Sequence, residues 1–537
     1  MMQTRLTLTL LALAVALAAC SRTTDSVPPP LSAAPQAAAS APTPTDIAWH
    51  KALNDADVDA SFAQALSVGK PVFLYWGAKW CPPCNQLQAT LFNRQDFIQR
   101  SRAFVPVYID GDSPGAQKLG ARFKVRGYPT MVMFNPQGTE LTRLPGEVDA
   151  ALYTEVLTLS MNAQRPLTAV LADARAGGRG LSANDWRLLA FYSWDTDEQQ
   201  LVPKDDLPAL LKQVALACPA DQADASTRLV LKALAATPEG ERGRPEPGVR
   251  ERVQRLLADA AGSRAQMDVL ANNAGELVQA LSAPKTPERT AVLAGFDTAL
   301  RRLEADAGLS RADRLGALYA RVELARLDAP KDQPLAAALQ IEVREHAARV
   351  DRDISDGYER QAVIPFAAHV LQQAGLLDES DVLLQNNLAK SHSPYYLMSG
   401  LASNAKKRGD KTGALRWAEQ AFDSSVGPAT RLQWGASYVA SLVELAPADE
   451  ARIEKAVERL LDEAAGQPNT FYERSARSLQ RVGKGLLGWN KNAAHQPVMK
   501  RLQAQLDAVC AKLPADDSQR VVCDALFKPG AVSKGDA

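Results

Sequence analysis

Hydrophobic positions change their spacing along this chain of 537 residues, and the change divides the chain into two regions. Between residues 47 and 163, short unbroken apolar runs alternate with segments in which apolar residues recur at helical spacing. The runs at 72–76 and 103–110 are typical of strands that are buried on both faces of a sheet. From residue 164 to about 530, apolar residues recur every three or four positions, which indicates amphipathic helices.

The first region is predicted to have the order α-β-α-β-α-β-β-α. A first helix ends at Gly69, the strand at 72–76 follows, and a second helix is expected from Cys81 to about Phe97. The other expected elements are the 103–110 strand, a helix near 115–123, strands at 131–134 and 140–144, and a helix at 149–160. The predicted fold class is therefore multidomain, with an α/β domain at 47–163 and an all-α region at 164–530.

The helical region carries a spacing of 34 residues. Gly375 and Gly409 lie at this offset, and five other pairs of small or apolar residues match it: Ile364/Met398, Ala368/Ala402, Leu371/Ala405, Leu384/Ala418 and Leu388/Phe422. The spacing resembles the tetratricopeptide repeat, in which two antiparallel helices pack through small residues. The Trp and Tyr positions of that family are not kept, so another kind of helical array stays open.

The charge balance of the chain does not favour a polyanionic partner. Lys and Arg number 61 together, as do Asp and Glu, so the formal net charge is zero. Nucleic-acid binding normally requires an excess of basic residues, so we expect no nucleic-acid partner.

The first 46 residues predict targeting and a tether. Arg5 precedes a mainly apolar run that is too short to span a bilayer, so residues 1–19 are interpreted as a signal peptide. Residues 20–46 are rich in Pro and Ala and have few large apolar side chains. They are expected to form a disordered tether.

The end of this signal peptide, Leu17-Ala18-Ala19-Cys20, resembles the lipobox of bacterial lipoproteins. The resemblance implies cleavage before Cys20, acylation of that residue and a lipid anchor in the cell envelope, facing the periplasm. Ser21 follows the cysteine, which in enterobacterial lipoproteins implies the outer membrane. An ordinary cleaved signal peptide is the alternative.

The candidate chemistry lies at Trp80-Cys81-Pro82-Pro83-Cys84, between a buried strand and the next helix. A helix N-terminus offers free N–H groups and the positive end of the helix dipole, which stabilise a thiolate. We therefore expect Cys81 to be the exposed nucleophile and Cys84, one turn further in, to resolve the mixed disulfide. The cysteine pair is itself the redox group, so no cofactor is expected.

A zinc half-site and a structural disulfide are the alternatives for this cysteine pair. Zinc requires two further ligands at similar spacing. The other cysteines are distant and the five histidines are scattered singly, so no metal is expected.

The segment WGAKWCPPC after a buried strand resembles the thioredoxin superfamily, and VRGYPT resembles the second signature of that family. In that family the proline is cis and lies against the dithiol, where neighbouring backbone groups pair with the substrate chain. The resemblance assigns this role to Pro129 and places Tyr128 and Trp80 beside the bound substrate. It covers about residues 48–163, whose predicted order of elements is also that of the thioredoxin fold.

One position departs from thioredoxin proper. That family has a buried Asp six residues before the first cysteine, where it helps to move the proton of the second cysteine; here the residue is Tyr75. A phenol with a pKa of about 10 is a poor base at neutral pH. Resolution by Cys84 is therefore expected to depend on water or on another group.

Three further cysteines lie in the helical region: Cys218, Cys510 and Cys523. In an oxidising compartment, Cys510 and Cys523 are the candidates for a structural disulfide that staples a helical hairpin. That pairing leaves Cys218 as a free thiol, but three cysteines permit other pairings.

Together these patterns predict a thiol–disulfide oxidoreductase of the cell envelope. Its expected partners are protein thiols and disulfides, an unidentified electron donor, and the membrane through the lipid anchor. Reduction is favoured because Pro-Pro between the cysteines occurs among reducing thioredoxin-like proteins, while oxidation and isomerisation stay open. The alternative is a scaffold lipoprotein whose helical repeats bind partners, with the thioredoxin-like domain as a docking or vestigial redox module.

Overall fold

The structure is a computed structural model that describes residues 45–146, 149–194, 197, 201–330 and 333–528. The predicted signal peptide, Cys20 and the tether up to residue 44 lie outside the described residues, so the lipid anchor stays a prediction. Within the described ranges, no helix is both long enough and apolar enough to cross a membrane.

A five-stranded mixed sheet with flanking helices forms the N-terminal part. Its strands are β1 (His50–Lys51), β2 (Val72–Gly77), β3 (Val105–Asp110), β4 (Thr130–Phe134) and β5 (Glu140–Leu144). Its helices are α1 (Asp55–Val68), α2 (Pro82–Leu87), α3 (Gln95–Arg100), α4 (Ala116–Phe123) and α5 (Ala150–Met161). The strand order is β1-β3-β2-β4-β5. β3 is parallel to β1 and β2, whereas β4 is antiparallel to β2 and β5. The predicted thioredoxin-like fold is confirmed.

Two details differ from the prediction. The short strand β1 precedes α1 and was not expected. The predicted single helix from Cys81 to about Phe97 is wrong, because a π-helical turn at Gln88–Phe92 ends the first part and Arg94 is extended before α3 begins. The break lets Phe92 and Phe97 pack together in the core, with ring centroids 5.4 Å apart.

The rest of the described chain is helical. Its helices are α6 (Leu167–Arg175), α7 (Ala183–Ala190), α8 (Leu207–Ala217), α9 (Ala223–Ala235), α10 (Val249–Ala258), α11 (Ala260–Ala265), α12 (Met267–Asn272), α13 (Ala274–Leu281), α14 (Pro287–Ala305), α15 (Arg311–Leu327), α16 (Ala337–Asp353), α17 (Gly357–Gln373), α18 (Leu377–Asn387), α19 (Pro394–Lys407), α20 (Lys411–Ser424), α21 (Pro428–Leu445), α22 (Glu450–Ala465), α23 (Glu473–Trp489), α24 (Gln496–Cys510) and α25 (Ser518–Ala525). The predicted all-helical region is confirmed.

The 34-residue spacing corresponds to two helical hairpins. α17 packs on α18 and α19 packs on α20. Gly375 and Gly409 lie in the two connecting turns with φ of 83° and 80°, a left-handed conformation that glycine adopts without steric cost. The spacing therefore marks equivalent turns, while the tetratricopeptide identity of the region stays a prediction.

Strand β2 supplies a different core on each face of the sheet. Leu74 and Trp76 pack with α1 and α4. Phe73 and Tyr75 point to the opposite face and join a cluster that includes α5 and continues into α6–α9 of the helical region. The sheet and the first helices of the helical region therefore share one hydrophobic core.

The last three helices, α23 to α25, are joined by a close backbone contact and a disulfide. Gly483 of α23 lies so close to α25 that a Cβ at this position would overlap the carbonyl oxygen of Leu526. A disulfide joins Cys510 of α24 to Cys523 of α25, with Cα atoms 5.7 Å apart, and Cys218 is a buried free thiol. α25 is thus held by close backbone contact with α23 and by a disulfide to α24.

Candidate redox site

The cysteine pair lies at the start of α2, directly after the loop that follows β2. Cys81 is the N-cap residue, and its disulfide to Cys84 has a Cα–Cα distance of 5.2 Å. Pro82 and Pro83 fill the first two helical positions and have no N–H, so Cys84 provides the first helical N–H. The backbone nitrogen of Cys84 donates to Cys81 Sγ, and the two atoms are 3.2 Å apart. In the dithiol form, this hydrogen bond and the helix N-terminus favour the thiolate at Cys81.

The second signature segment lies against the first. The Tyr128–Pro129 peptide bond is cis, and Tyr128 O lies 3.6 Å from Cys81 Sγ. β4 begins at the next residue, Thr130, whose Oγ1 donates to Gly127 O at 2.9 Å. The structure therefore brings Cys81, Cys84, Tyr128 and Pro129 together.

Both cysteines are buried, with exposed fractions of 2% for Cys81 and 4% for Cys84. The expectation that Cys81 is exposed is therefore wrong, while its role as the nucleophile stays a prediction. The physical reason is that the C-terminal helices cover the motif: Trp80, Cys81 and Cys84 belong to one hydrophobic cluster with side chains of α19–α25.

Asp112 joins the motif to the start of α21. Its Oδ2 accepts hydrogen bonds from Trp80 Nε1 at 3.0 Å and Thr430 Oγ1 at 2.7 Å, and its Oδ1 accepts one from Thr430 N at 2.8 Å. The carboxylate thus caps a helix of the other region and benefits from the positive end of its dipole. Gly427 makes room for it, because a Cβ there would lie 2.6 Å from Asp112 Cγ.

A second helix is capped in the same way. Gln117 of α4 accepts a hydrogen bond through Oε1 from Arg474 N, the second residue of α23, at 3.0 Å. Its Nε2 donates to Gly111 O at 2.9 Å and to Tyr128 OH at 3.3 Å. The thioredoxin-like fold therefore supplies the N-terminal partners of both α21 and α23.

Other hydrogen bonds hold the backbone around the motif to the helical region: Gln361 Nε2 to Trp80 O (3.4 Å), His392 Nε2 to Lys79 O (2.9 Å) and Arg477 Nη2 to Arg126 O (2.6 Å). A carbonyl oxygen only accepts, so His392 donates from Nε2. These contacts come from α17, from the loop before α19 and from α23, and they fix the motif beneath the helices.

Trp80 is the centre of an aromatic and cationic cluster. Its ring stacks on Tyr396 with centroids 6.1 Å apart and meets the edge of Tyr128 at 6.0 Å. The Arg474 guanidinium lies 4.1 Å from the Trp80 ring centroid, which is cation–π distance. The predicted substrate-binding residues Trp80 and Tyr128 are therefore in contact with each other and with helices α19 and α23.

Two cavities flank the Pro82–Pro83 segment. One has a volume of 590 Å³ and is lined by Cys81, Tyr128 and side chains of α23. The other, of 650 Å³, lies beneath α17, α19 and α21 and is lined largely by small and polar residues such as Ser399, Gly400 and Ser403. Both volumes are within the range of ligand sites.

Tyr75 is enclosed by the aromatic rings of Trp49, Phe92 and Tyr108. Burial, followed by the nearby Tyr108 and Asp110, raises the pKa of Tyr75 well above its ordinary value. A phenol whose pKa is raised in this way stays protonated at neutral pH and is a poor base, and the role of water or another group stays a prediction.

Asp110 is the carboxylate whose charge Tyr75 senses. It ends β3 and pairs in register with Gly77, the last residue of the strand that leads into the motif. Burial raises the pKa of Asp110, and a hydrogen bond of 3.0 Å from Asp112 N partly offsets this effect. Folding therefore makes this carboxyl easier to protonate than it is in the unfolded chain.

We expect Asp110→Asn to raise the melting temperature at pH 7. Because folding raises the pKa of Asp110, its contribution to stability is fully present below the unfolded pKa of about 3.9 and is lost as the pH rises through the folded pKa. Asn stays neutral at every pH and keeps the oxygen that accepts from Asp112 N. Melting curves at pH 7 and pH 4 should show a gain that shrinks at the lower pH; no gain at pH 7 would contradict the prediction.

Asp112, Thr430, Tyr396 and Arg474 were not identified from the sequence. Their contacts join residues that are hundreds of positions apart, so no local pattern reveals them. One signal was present: Arg474, Arg477, Arg481 and Lys484 recur at spacings of three and four residues, which places them on one face of α23.

No group of three or more His, Cys, Asp or Glu side chains in the described ranges is placed to hold a metal ion. The expectation that the protein uses no metal and no cofactor stays a prediction.

Comparison with known proteins places the similarity on the sheet-containing part. The thioredoxin-like domain family matches residues 58–159. Thiol:disulfide interchange protein DsbD 1 of Pseudomonas aeruginosa is 32% identical over 113 residues, which are 20% of this chain and 19% of that protein. Thiol:disulfide interchange protein DsbD of Klebsiella pneumoniae is 31% identical over 112 residues, 20% of this chain and 18% of that protein. The chain therefore spans about a fifth of the length of these curated relatives.

A solved circular tandem repeat protein covers 67% of this chain and 78% of its own, but at 14% identity and a TM-score of 0.16. This likeness is too low to bear on the fold of the helical region. The WCPPC motif, the cis proline, the strand order and the matched family agree with one another. Residues 58–159 thus form a thioredoxin-like domain of the thioredoxin superfamily, which in this chain is fused to a long helical region.

Proposed function

We propose that this protein is a thiol–disulfide oxidoreductase of the cell envelope that reduces disulfides through Cys81 and Cys84. The observation that carries the proposal is the Cys81–Cys84 disulfide at a helix N-terminus, packed against the cis Tyr128–Pro129 peptide bond. The names of the relatives and the lipobox-like Leu17–Cys20 segment support the reaction class and the location, respectively.

The reaction begins from the dithiol form. The Cys81 thiolate attacks one sulfur of the substrate disulfide, a mixed disulfide forms, and the other substrate sulfur leaves as a thiolate that takes a proton from solvent. Cys84 then loses its proton and attacks Cys81 Sγ. This step releases the second substrate thiol and forms the Cys81–Cys84 disulfide, so two electrons pass to the substrate. A separate thiol donor must reduce the pair again.

The geometry supports Cys81 as the residue that attacks first. Cys81 lines the 590 Å³ cavity beside Tyr128, whereas Cys84 is not among its lining residues. A substrate sulfur in this cavity therefore meets Cys81 first, with Tyr128 and Trp80 beside it. Pro129 holds the backbone of this wall in its cis form.

The burial of both cysteines favours a second candidate function, a scaffold in which the thioredoxin-like domain is a structural partner of the helices. The two candidates differ in one measurable property. An oxidoreductase must interconvert its disulfide and dithiol forms while folded, whereas a scaffold with a closed disulfide does not.

The test uses the full chain in its folded state. Alkylation and mass spectrometry after equilibration in dithiothreitol buffers should show that Cys81 and Cys84 are reduced without unfolding. Catalytic amounts of the protein should then accelerate the reduction, by dithiothreitol, of a peptide whose internal disulfide holds a quenched fluorophore pair. A disulfide that resists reduction, or a reduced protein that gives no acceleration, would favour the scaffold.

A further inference from the structure

The cavity in front of Cys81 has one wall that is made by a single helix face. Arg474, Arg477, Arg481 and Lys484 of α23 all line it, and none of the described residues that line it is acidic. A substrate sulfur that approaches Cys81 therefore lies next to a row of positive charges.

This row is poorly neutralised within the protein. Glu473 pairs with Arg477 at 2.9 Å, but no carboxylate of the described chain forms an ion pair with Arg474, Arg481 or Lys484. Arg474 Nη1 is buried without a hydrogen-bond partner. Such a group carries a desolvation cost, and the same guanidinium lies over the rings of Trp80 and Tyr128.

The pKa of Arg481 reflects its partial burial and the positive charges close to it on α23. Partial desolvation, followed by repulsion from Arg474 and Arg477, lowers the pKa of Arg481 from its ordinary value. Like charges held together at a cavity wall favour an anion in that cavity. Arginine in particular pairs with carboxylates through two parallel hydrogen bonds.

We propose that this cavity selects disulfides that carry carboxylates close to the reacting sulfur. The inference rests on the proposed function and adds to it the charge of the substrate. The carboxylates come either from a small anionic disulfide or from acidic residues beside a cysteine of a protein, and the two sources present the same chemistry to α23.

The reaction is that of the proposed function, with a defined charge on the leaving group. The Cys81 thiolate attacks the anionic disulfide, a carboxylate-bearing thiol leaves, and Cys84 releases the second one. Two thiols form for each Cys81–Cys84 disulfide, so the dithiol form of the protein supplies both electrons of a single turnover.

The experiment uses the full chain after reduction with dithiothreitol and removal of the reductant. Tryptophan fluorescence in a stopped-flow instrument follows its oxidation by three small disulfides of similar size: 3,3′-dithiodipropionate, which is anionic, 2-hydroxyethyl disulfide, which is neutral, and cystamine, which is cationic. Each rate is divided by the rate of 2-mercaptoethanol with the same disulfide, which removes differences in intrinsic reactivity. A parallel series uses one peptide disulfide with Asp, Asn or Lys beside the cysteine.

We expect the anionic disulfide to react roughly tenfold faster than the neutral one after this correction, and the cationic one to be slowest. The preference should fall as salt is added. The double variant Arg481→Gln/Lys484→Gln should lose most of it, and Arg481→Glu/Lys484→Glu should favour cystamine. Lys500→Gln, which removes an exposed charge from α24, is the matched control and should behave like the parent.

A preference in both series assigns the selection to any carboxylate near the sulfur, and one confined to the peptides assigns it to a protein substrate. Equal corrected rates for all charges would overturn the inference, as would a preference that survives in both double variants, while the proposed function would stand. A reduced protein that reacts with none of the disulfides would overturn the proposed function, and the inference with it.

Discussion

Cys81→Ser is expected to abolish disulfide reduction by this protein, whereas Cys84→Ser is expected to retain the first attack and accumulate a mixed disulfide. A serine hydroxyl is not ionised at neutral pH, so the loss at Cys81 should be at least about a thousandfold. Cys84 is needed only to resolve the intermediate. Its removal therefore stops turnover after one attack instead of preventing that attack.

Mass spectrometry distinguishes the two variants. The folded proteins, without prior treatment with a reductant, are exposed to two identical peptides joined by a disulfide. Cys84→Ser should gain the mass of one peptide, and Cys81→Ser should gain none. Cys218→Ser is the matched control and should behave like the parent protein. Cys218 is a buried free thiol and lies far along the chain from the motif. An adduct on Cys81→Ser but not on Cys84→Ser would reverse the assignment of the two roles.

Asp112→Ala is expected to loosen the helical cover over the motif and to expose Cys81. The substitution removes the acceptor of three hydrogen bonds, from Trp80 Nε1, Thr430 N and Thr430 Oγ1. Hydrogen bonds to a charged group contribute up to about 3 kcal/mol each, and these three share one carboxylate, so we expect a loss of about 3 kcal/mol in all. The start of α21 also loses its cap.

Two measurements check this expectation. The melting temperature should fall by several degrees, and iodoacetamide should label Cys81 of the reduced protein at least about tenfold faster than in the parent, because about 1.4 kcal/mol corresponds to a factor of ten. Asp378→Ala is the matched control: Asp378 is 93% exposed and pairs with Arg408, so its loss should cost less than about 1 kcal/mol. Unchanged labelling of Asp112→Ala would show that this carboxylate does not hold the cover.

The parts of the site that were predicted from the sequence are those encoded by neighbouring residues. An apolar strand, a cysteine at the helix start and two prolines without N–H groups lie within a few positions of one another. The cis bond before Pro129 was expected only because a short segment resembles the second signature of the thioredoxin superfamily. Local physics therefore sufficed for the dithiol, whereas the wall opposite it was predicted from the family resemblance.

The cover over the dithiol was not predictable from such local rules. Asp112 and Thr430 are 318 positions apart, and Gln361 and Trp80 are 281 apart. An amphipathic pattern states that one face of a helix is buried but not which surface buries it. His392 illustrates the difficulty, since a histidine that is isolated in the sequence donates to Lys79 O in the folded chain.

Gly483 restricts which substitutions this part of the chain can accept over evolutionary time. Glycine inside a helix costs about 1 kcal/mol relative to alanine, so helix propensity alone would favour its replacement. Here any larger residue would meet the carbonyl oxygen of Leu526 and push α23 away from α25, which the Cys510–Cys523 disulfide holds in place. Such a change would move the charged wall of the cavity without altering a residue that lines it. Among descendants of this chain, we therefore expect Gly483, the two C-terminal cysteines and the basic face of α23 to be inherited or lost together.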